Sequence, residues 1–136
     1  MARHSMSIAI LSMLLLIALP ASAFWAWMRG AAINQFTNAD WEILKAETRR
    51  ALDEDDDGAR TDWANPDTGN RGSIKPLKTL TVDGQRCRQT AFQNITAIGT
   101  KGQSVYHLCR QEDGTWKFIA ESSFDAAEQD QAYSTR

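Results

Sequence analysis

The sequence predicts an α+β domain in which one N-terminal amphipathic helix packs on an antiparallel β-meander of four to five strands. Two observations favour this class. A helix-capping pattern precedes an amphipathic stretch from Asn38 to Leu52. From residue 60 onward the apolar period becomes strand-like, and turn signals such as Asp83-Gly84 and Asp113-Gly114 separate the runs. Consecutive hairpins after one helix are typical of a small domain with a single core.

The helix prediction depends on residues 36–52. Thr37 and Asp40 fit the capping box, in which a hydroxyl and an acid three residues later bind each other's backbone N–H groups. Phe36 and Trp41 occupy the positions of a hydrophobic staple. Trp41 and Leu44 share one face at helical spacing, so we expect this face to pack on the sheet.

An acidic run follows the helix and is a weak calcium candidate. Asp53, Asp55, Asp57 and Gly58 match the first half of a calcium-binding loop, in which alternate carboxylates converge on the ion. The position of the closing bidentate acid is Ala64, so that ligand is missing. The alternative is a solvated acidic loop. We expect no metal and no other cofactor.

The strand predictions start with Thr61–Ala64 and continue with Ser73–Val82. Pro76 indicates an edge or a bulge because proline cannot donate to a β-ladder. The Asp83-Gly84 turn places Leu80 opposite Cys87. A turn at Asp113-Gly114 would place Cys109 opposite Phe118. The tail 122–136 is mostly polar and lacks periodicity, so it is predicted to be flexible.

The sequence contains two cysteines, Cys87 and Cys109, each in a strand-like run. In an exported protein they predict a disulfide. A turn centred on Thr100-Lys101 would pair Cys109 with Phe92, whereas direct pairing of the cysteines needs a turn centred on Ile98. The bridge therefore requires a displaced turn, a bulge or strands that are not neighbours. Closing this loop should stabilise the fold by about 3 kcal/mol.

Residues 1–23 fit a signal peptide. An apolar run from Ile8 to Leu19 ends at Pro20, and Ala21-Ser22-Ala23 supplies the small residues that signal peptidase accepts. The alternative is an uncleaved membrane anchor over 8–28, with tryptophans at the interface. Residues 24–37 are predicted to be a linker. Either interpretation exports the rest of the chain into a compartment in which disulfides persist.

The composition and the polar residues offer little for catalysis. The formal net charge of -2 and the scattered basic residues argue against a nucleic-acid partner. His107 stands alone in a strand, and no nucleophile, base and acid form a recognisable set. We therefore predict that the protein is not an enzyme. The candidate contact residues are Trp63, Arg88, Arg110 and Trp116. The two arginines suit either an anion or cross-strand pairs with Glu112 or Asp113.

A set of residues from 63 to 116 resembles a known pattern. It consists of Trp63-x-Asn65-Pro66-Asp67-Thr68-Gly69-Asn70, Gly72, Pro76, Gly84, Cys87-Arg88, Cys109-Arg110-Gln111 and Asp113-Gly114-x-Trp116. In these residues the chain resembles the C-terminal domain of the rickettsial-type (17 kDa) bacterial surface antigen family. The resemblance covers about residues 39 to 120 and implies an outer-membrane-associated or periplasmic protein without a catalytic role, and thus a location in the periplasm or cell envelope of a Gram-negative bacterium. It sets the domain at 38–121.

Two features that are common in this family are missing from the sequence. No lipid-attachment cysteine follows the apolar run, and no glycine-zipper segment precedes the domain. A soluble periplasmic or inner-membrane-tethered form is therefore expected. The leading hypothesis is a non-enzymatic binding or structural module with an unknown envelope protein or glycan as partner. Membrane contact is expected only through an uncleaved N-terminal anchor. The alternative is an inhibitor of an envelope hydrolase such as lysozyme, with the loop 65–72 entering the enzyme's cleft.

Overall fold

The computed structural model describes residues 32–135, which form two α-helices and a five-stranded antiparallel sheet. The strands lie in the sheet in chain order, so the sheet is a meander. This confirms the predicted fold class. After a short 3-10 helix at Ala32–Gln35, the elements are α1 Asn38–Glu54, β1 Thr61–Ala64, β2 Arg71–Val82, β3 Gln85–Ile95, β4 Lys101–Arg110, β5 Trp116–Ile119 and α2 Glu121–Ser134.

Helix α1 begins at the predicted capping box. The backbone N–H of Thr37 donates to the Asp40 carboxylate at 2.7 Å, and the N–H of Asp40 donates to the Thr37 hydroxyl at 3.2 Å. The rings of Phe36 and Trp41 are in edge contact at 5.7 Å between centroids, which confirms the staple. The helix continues to Glu54, two residues beyond the predicted end.

The β2–β3 hairpin has the predicted register. Leu80 pairs with Cys87, and the ladder shifts between Pro76 and Lys78, as expected of a proline at a bulge. Asp83 and Gly84 both have positive φ, at 48° and 78°. Two positive φ angles in a two-residue turn match the right-handed twist of the strands, which fixes this register.

The β3–β4 hairpin places Cys87 directly opposite Cys109, and the two residues form a disulfide with 4.0 Å between their Cα atoms. The turn lies between Thr96 and Thr100, whose backbone groups bond at 2.9 Å. Its centre is Ile98. Of the three arrangements considered for the bridge, the displaced turn is therefore the one that forms, and the disulfide is confirmed.

The predicted register of the β4–β5 hairpin is wrong by one residue. Leu108 pairs with Phe118, and Cys109 pairs with Lys117. The turn contains three residues, closed by the Gln111 N–H donating to the Thr115 carbonyl at 2.7 Å, with Gly114 at φ 79°. A three-residue turn with a left-handed glycine replaces the expected two-residue turn. Because side chains alternate along a strand, this shift moves Phe118 to the same face as Leu108.

The two faces of the sheet carry different cores. Helix α1 covers the first face through a cluster of Leu44, Ala51, Leu52, Trp63, Ile74, Phe92 and Leu108. Helix α2 covers part of the second face through a smaller cluster of Val82, Cys87, Cys109 and Phe124. The predicted packing of the helix on the sheet is confirmed, and the disulfide lies under the second helix.

The prediction of a flexible tail over 122–136 is corrected by α2. Its sequence has no apolar stripe, so helical periodicity gave no signal. A single side chain, Phe124, is fully buried and docks the helix on the disulfide face. Lys78 pairs with Glu128, and Gln131 donates to the Thr81 carbonyl at 2.7 Å. One aromatic anchor with two polar contacts therefore orders a segment that its composition marks as polar.

Within residues 32–135, neither helix has the length and apolar character needed to cross a membrane. The predicted signal peptide at 1–23, the alternative anchor at 8–28 and the first part of the 24–37 linker lie outside the described residues. Those interpretations stay predictions.

Candidate functional site

An open groove with a volume of about 480 Å³ lies between α1 and the β4–β5 end of the sheet. Most of its lining surface is apolar. Helix α1 forms one wall, and the sheet face that carries Phe92 and Leu108 forms the floor. The side chains that line it include Ile33, Trp41, Leu44, Lys45, Thr48, Arg49, Phe92, Asn94, Ser104, Tyr106, Leu108, Thr115, Trp116 and Phe118.

Trp116 is a fixed part of this groove. Its indole Nε1–H donates to the Asp53 carboxylate at 2.9 Å. The Arg86 guanidinium lies 6.0 Å from the ring centroid, at the outer limit of a cation–π contact. Arg110 also approaches Asp53, at 3.3 Å. Because both the edge and the face of the ring have partners, Trp116 is held in one orientation.

Three aromatic rings form a row along the floor of the groove. Tyr106 lies between Phe92 and Phe118, with ring centroids at 5.7 and 5.1 Å. Edge contacts of this kind add to the energy of apolar burial. Burial raises the pKa of the Tyr106 phenol, although a hydrogen bond with Ser104 lowers it in part. The phenol is therefore neutral at physiological pH, and the row presents apolar ring surface.

The rim of the groove is charged, but its cations have partners. Lys45 pairs with Glu42 at 3.2 Å, and Arg49 pairs with Asp53 at 3.8 Å. Both lysine and arginine side chains extend into water. Exposed pairs of this type contribute little energy. The interior therefore suits an apolar ligand, and the rim keeps the site soluble.

A buried carboxylate holds the N-terminal end of α1 to the loop after β1. Asp40 is fully buried and accepts hydrogen bonds from Asn65 Nδ2 at 2.8 Å, Thr68 Oγ1 at 2.6 Å and Asn70 Nδ2 at 2.9 Å, besides the Thr37 cap. Burial would raise the pKa of Asp40, but the bonds from Thr68, Thr37, Asn70 and Asn65 outweigh it and hold the pKa well below its usual range.

A buried guanidinium holds the C-terminal end of α1. Arg88, in β3, donates from Nη1 to the carbonyls of Ala51 at 3.2 Å and Leu52 at 2.9 Å. Its Nη2 donates to the Asp57 carboxylate at 2.8 Å. Burial would raise the pKa of Asp57, but the bonds from Arg88 and Thr79 lower it overall. Arg88 thus supplies donors to carbonyls of the last turn of α1, where the Ala51 carbonyl also accepts the Asp55 N–H.

The predicted contact residues divide into two pairs. Trp63 and Arg88 are 3% and 1% exposed, so their prediction as contact residues is corrected: both belong to the interior. Trp63 packs in the core beneath α1 and donates from Nε1 to the Asn94 side-chain oxygen at 3.2 Å. Arg110 and Trp116 meet at Asp53, beside the groove.

The expected cross-strand pairs of the arginines are also corrected. Arg88 pairs with Asp57, and Arg110 pairs with Asp53, rather than with Glu112 or Asp113. Both acids belong to the segment at the C-terminal end of α1, which packs on the sheet face that carries the two arginines.

The three carboxylates of the calcium candidate have separate partners. Asp53 binds Trp116 and Arg110, Asp55 accepts from Thr61, and Asp57 binds Arg88. In the part of the chain that the structure describes, no group of three or more His, Cys, Asp or Glu side chains is arranged to hold a metal ion.

The sequence predicted neither the groove nor the hydrogen bonds that Asp40 accepts from the loop after β1. Phe118 lies on the same face as Tyr106 only in the observed β4–β5 register, so the register error concealed the row of rings. The sequence does contain an indication of a buried acceptor such as Asp40, namely the polar residues Asn65, Thr68 and Asn70. Three side-chain donors in one turn indicate a buried acceptor, because a solvated turn does not require them.

Comparison with known proteins identifies the family. A family model described as "17 kDa outer membrane surface antigen" matches residues 50–117, which is half of the chain. The chain belongs to this family. The match confirms the resemblance seen in the sequence, and it includes Arg88, the disulfide and Trp116. Membership of a surface antigen family implies a location in the bacterial cell envelope or at its surface.

Individual relatives agree with this assignment. The chain is 38% identical over 82 residues to the 17 kDa surface antigen of Rickettsia prowazekii, which is 59% of this chain and 50% of the relative. The proteins of the same name from Rickettsia felis and Rickettsia bellii are 37% and 34% identical over 82 residues. The chain spans about half the length of these curated relatives. No solved structure matches it.

Proposed function

We propose that this chain is a non-enzymatic binding module of the cell envelope, placed in the periplasm, and that its groove holds an apolar peptide segment. The observation that carries the proposal is the groove of about 480 Å³ between α1 and the β4–β5 end of the sheet. Its walls are aromatic and at least one of them, Trp116, is fixed by hydrogen bonding. Preformed apolar sites with fixed walls bind at a low entropic cost.

The lining favours a peptide over a glycan. Sugar sites need many polar groups, whereas this interior is mainly apolar. Asn94, Ser104 and Thr115 add amide and hydroxyl groups to the lining, where they suit a peptide backbone. The row of Phe92, Tyr106 and Phe118 suits the aromatic or branched side chains that act as anchors in peptide and protein interfaces.

The position of His107 supports a role without catalysis. Its ring packs on Phe124 at 4.6 Å between centroids, on the face of the sheet opposite the groove. Among the described residues it therefore contributes no acid or base to the groove. The name of the family, a surface antigen, is consistent with this role.

The inhibitor alternative depends on the loop from Asn65 to Gly72. The side chains of Asn65, Thr68 and Asn70 point inward and donate to Asp40. These contacts leave three of the loop's five polar side chains unavailable to the cleft of a hydrolase. We therefore do not propose lysozyme inhibition.

Site-specific photo-crosslinking in living cells tests the binding role. The exposed Lys45 lines the groove, so we would replace it with p-benzoylphenylalanine, irradiate the cells and identify the adduct by mass spectrometry. The matched control is Lys75, an exposed lysine of β2 on the opposite face of the sheet. We expect an apolar, aromatic peptide crosslinked from position 45 and not from position 75. No crosslink from position 45 to an apolar peptide segment, whether of a partner or of this same chain, or the same crosslinks from both positions, would contradict the proposal.

A further inference from the structure

The first residues that the structure describes lie beside the groove. Ala32 and Ile33 lie in the 3-10 helix before α1, Ala32 is fully buried, and Ile33 lines the groove. The five residues Phe24-Trp25-Ala26-Trp27-Met28 come shortly before them in the sequence. An aromatic segment is therefore tethered next to an apolar groove that is itself lined with aromatic rings.

We propose that residues 24–28 of this same chain occupy the groove. The inference rests on the proposed function, since it names the peptide that the groove holds. From Met28 to Ile33 the chain advances five residues, which span at most about 17 Å. Helix α1, which forms one wall of the groove, has 17 residues and a length of about 25 Å. The segment thus reaches the groove from its tether.

The chemistry of the segment matches the chemistry of the groove. Residues 24–28 contain two tryptophans, a phenylalanine and a methionine, and no charge. Aromatic side chains bury about 150–250 Å² each, so leaving three of them in water forgoes several kcal/mol of apolar burial. Arg29 and Gly30 then end the apolar run.

Because residues 24–28 are covalently linked to the domain, they fill the groove even when the free peptide binds it weakly. A short flexible tether gives an effective concentration on the order of 1 mM. A segment whose free peptide bound with a Kd of about 0.1 mM would then fill the groove in about nine molecules out of ten. An external apolar peptide must displace residues 24–28 from the groove. The affinity of this segment for the groove therefore determines how tightly a partner must bind.

Peptide competition tests this assignment in the exported protein that retains residues 24–136. A fluorescent peptide with the sequence of residues 24–31 is titrated into the wild type and into the variant Trp25→Ser/Trp27→Ser, and anisotropy is measured. We expect the variant to bind the peptide at least ten-fold more tightly than the wild type, because its own segment no longer competes.

Two further substitutions locate the binding. In the Trp25→Ser/Trp27→Ser background, Phe118→Ser should abolish peptide binding, since Phe118 lines the groove and is 39% exposed. The matched control is Val105→Ser: Val105 is 49% exposed and lies on the opposite face of the sheet, so binding should persist. Equal loss in both variants would mean that the peptide does not bind in the groove.

The possible outcomes separate the inference from the proposed function. Equal, measurable binding to wild type and variant would overturn occupation by residues 24–28 and leave the groove as a peptide site. Binding to neither protein would overturn occupation by residues 24–28, while crosslinking from position 45 decides whether the groove holds another apolar peptide. A dimeric wild type with a monomeric Trp25→Ser/Trp27→Ser variant, measured by light scattering, would mean that a second copy supplies the segment, which would overturn the intrachain assignment.

Discussion

Two buried ionisable side chains hold the two ends of α1, and each has the charge that the helix dipole favours at its position. Asp40 lies in the first turn and Arg88 binds the carbonyls of the last turn. Asp40 bonds the loop after β1, whereas Arg88 belongs to β3 and bonds Asp57 as well. Because α1 is one wall of the groove, these two contacts fix the separation between the wall and the floor.

The addition of a single methyl group at Gly72 should strongly destabilise the fold. A Cβ at this position would lie 2.2 Å from the Gln93 carbonyl oxygen, 2.6 Å from Trp63 Nε1 and 2.7 Å from Asn94 Oδ1. Backbone and buried side chains both obstruct it, so Gly72→Ala should destabilise the fold by about 2–3 kcal/mol. Urea unfolding followed by tryptophan fluorescence measures this loss. Lys75→Ala, at an exposed position of the same strand, is the control and should change stability by less than about 0.5 kcal/mol.

At the scale of elements, the sheet is held from both faces by unequal partners. Helix α1 contributes Leu44, Ala51 and Leu52 to the larger core. Helix α2 contributes Phe124 to a smaller core that contains the disulfide. We therefore expect α2 to unfold locally before the rest of the domain, because local stability follows the number of buried apolar contacts.

Removing Phe124, the aromatic anchor of α2, should lower the local stability of α2 and leave that of α1 unchanged. Phe124→Ala leaves no large apolar side chain between α2 and the disulfide, so helix α2 should lose its docking. Hydrogen exchange should then show rapid exchange over residues 121–134 and unchanged protection in α1. The control is Tyr133→Ala, since Tyr133 is 84% exposed. Protection of 121–134 that survives the loss of Phe124 would contradict this account.

The Cys87–Cys109 bridge joins the two central strands and closes a separation of 22 residues. In the chain-entropy model, such a loop contributes about 3 kcal/mol by restricting the unfolded chain. The double variant Cys87→Ala/Cys109→Ala should therefore lose about 3 kcal/mol of unfolding free energy, measured by guanidinium titration. The wild type under reducing conditions should show a similar loss. An unchanged denaturation midpoint in both cases would show that the cross-link does not limit stability.

At the scale of the whole molecule, the sequence predicts the architecture better than the site. Alternation, turn residues and capping are local signals, and they gave α1, the meander and the β2–β3 register. The signal for the turn before β5 is also local, but Asp113-Gly114 fits both a two-residue and a three-residue turn. The length of this turn decides on which face of the sheet Trp116 and Phe118 lie. The burial of Arg88 had no local signal, because both faces of β3 carry apolar residues, Cys87 on one and Phe92 on the other.

Acid should weaken the whole fold through carboxylates that are ionised in the native state. The pKa values of Asp40, Asp57 and Asp113 lie below their ordinary value of 3.8 in the folded protein. Since folding lowers these pKa values, the native state binds fewer protons than the unfolded state near pH 4. Their contribution is complete well above pH 3.8 and is lost as the pH falls below it, toward the folded pKa values.

Asp40 should dominate this loss because it is fully buried and accepts the largest number of side-chain bonds. At pH 7, Asp40→Asn should cost about 2–3 kcal/mol, as expected for hydrogen bonds to a charged group. The difference between wild type and variant should shrink as the pH falls from 5 to 2.5, because the Asp40 carboxyl of the unfolded wild type takes up a proton over this range, whereas the variant has no such group. Thr68→Val removes one donor and should give an intermediate dependence. Urea unfolding across this range measures all three, and parallel curves for wild type and Asp40→Asn would show that Asp40 does not govern acid stability.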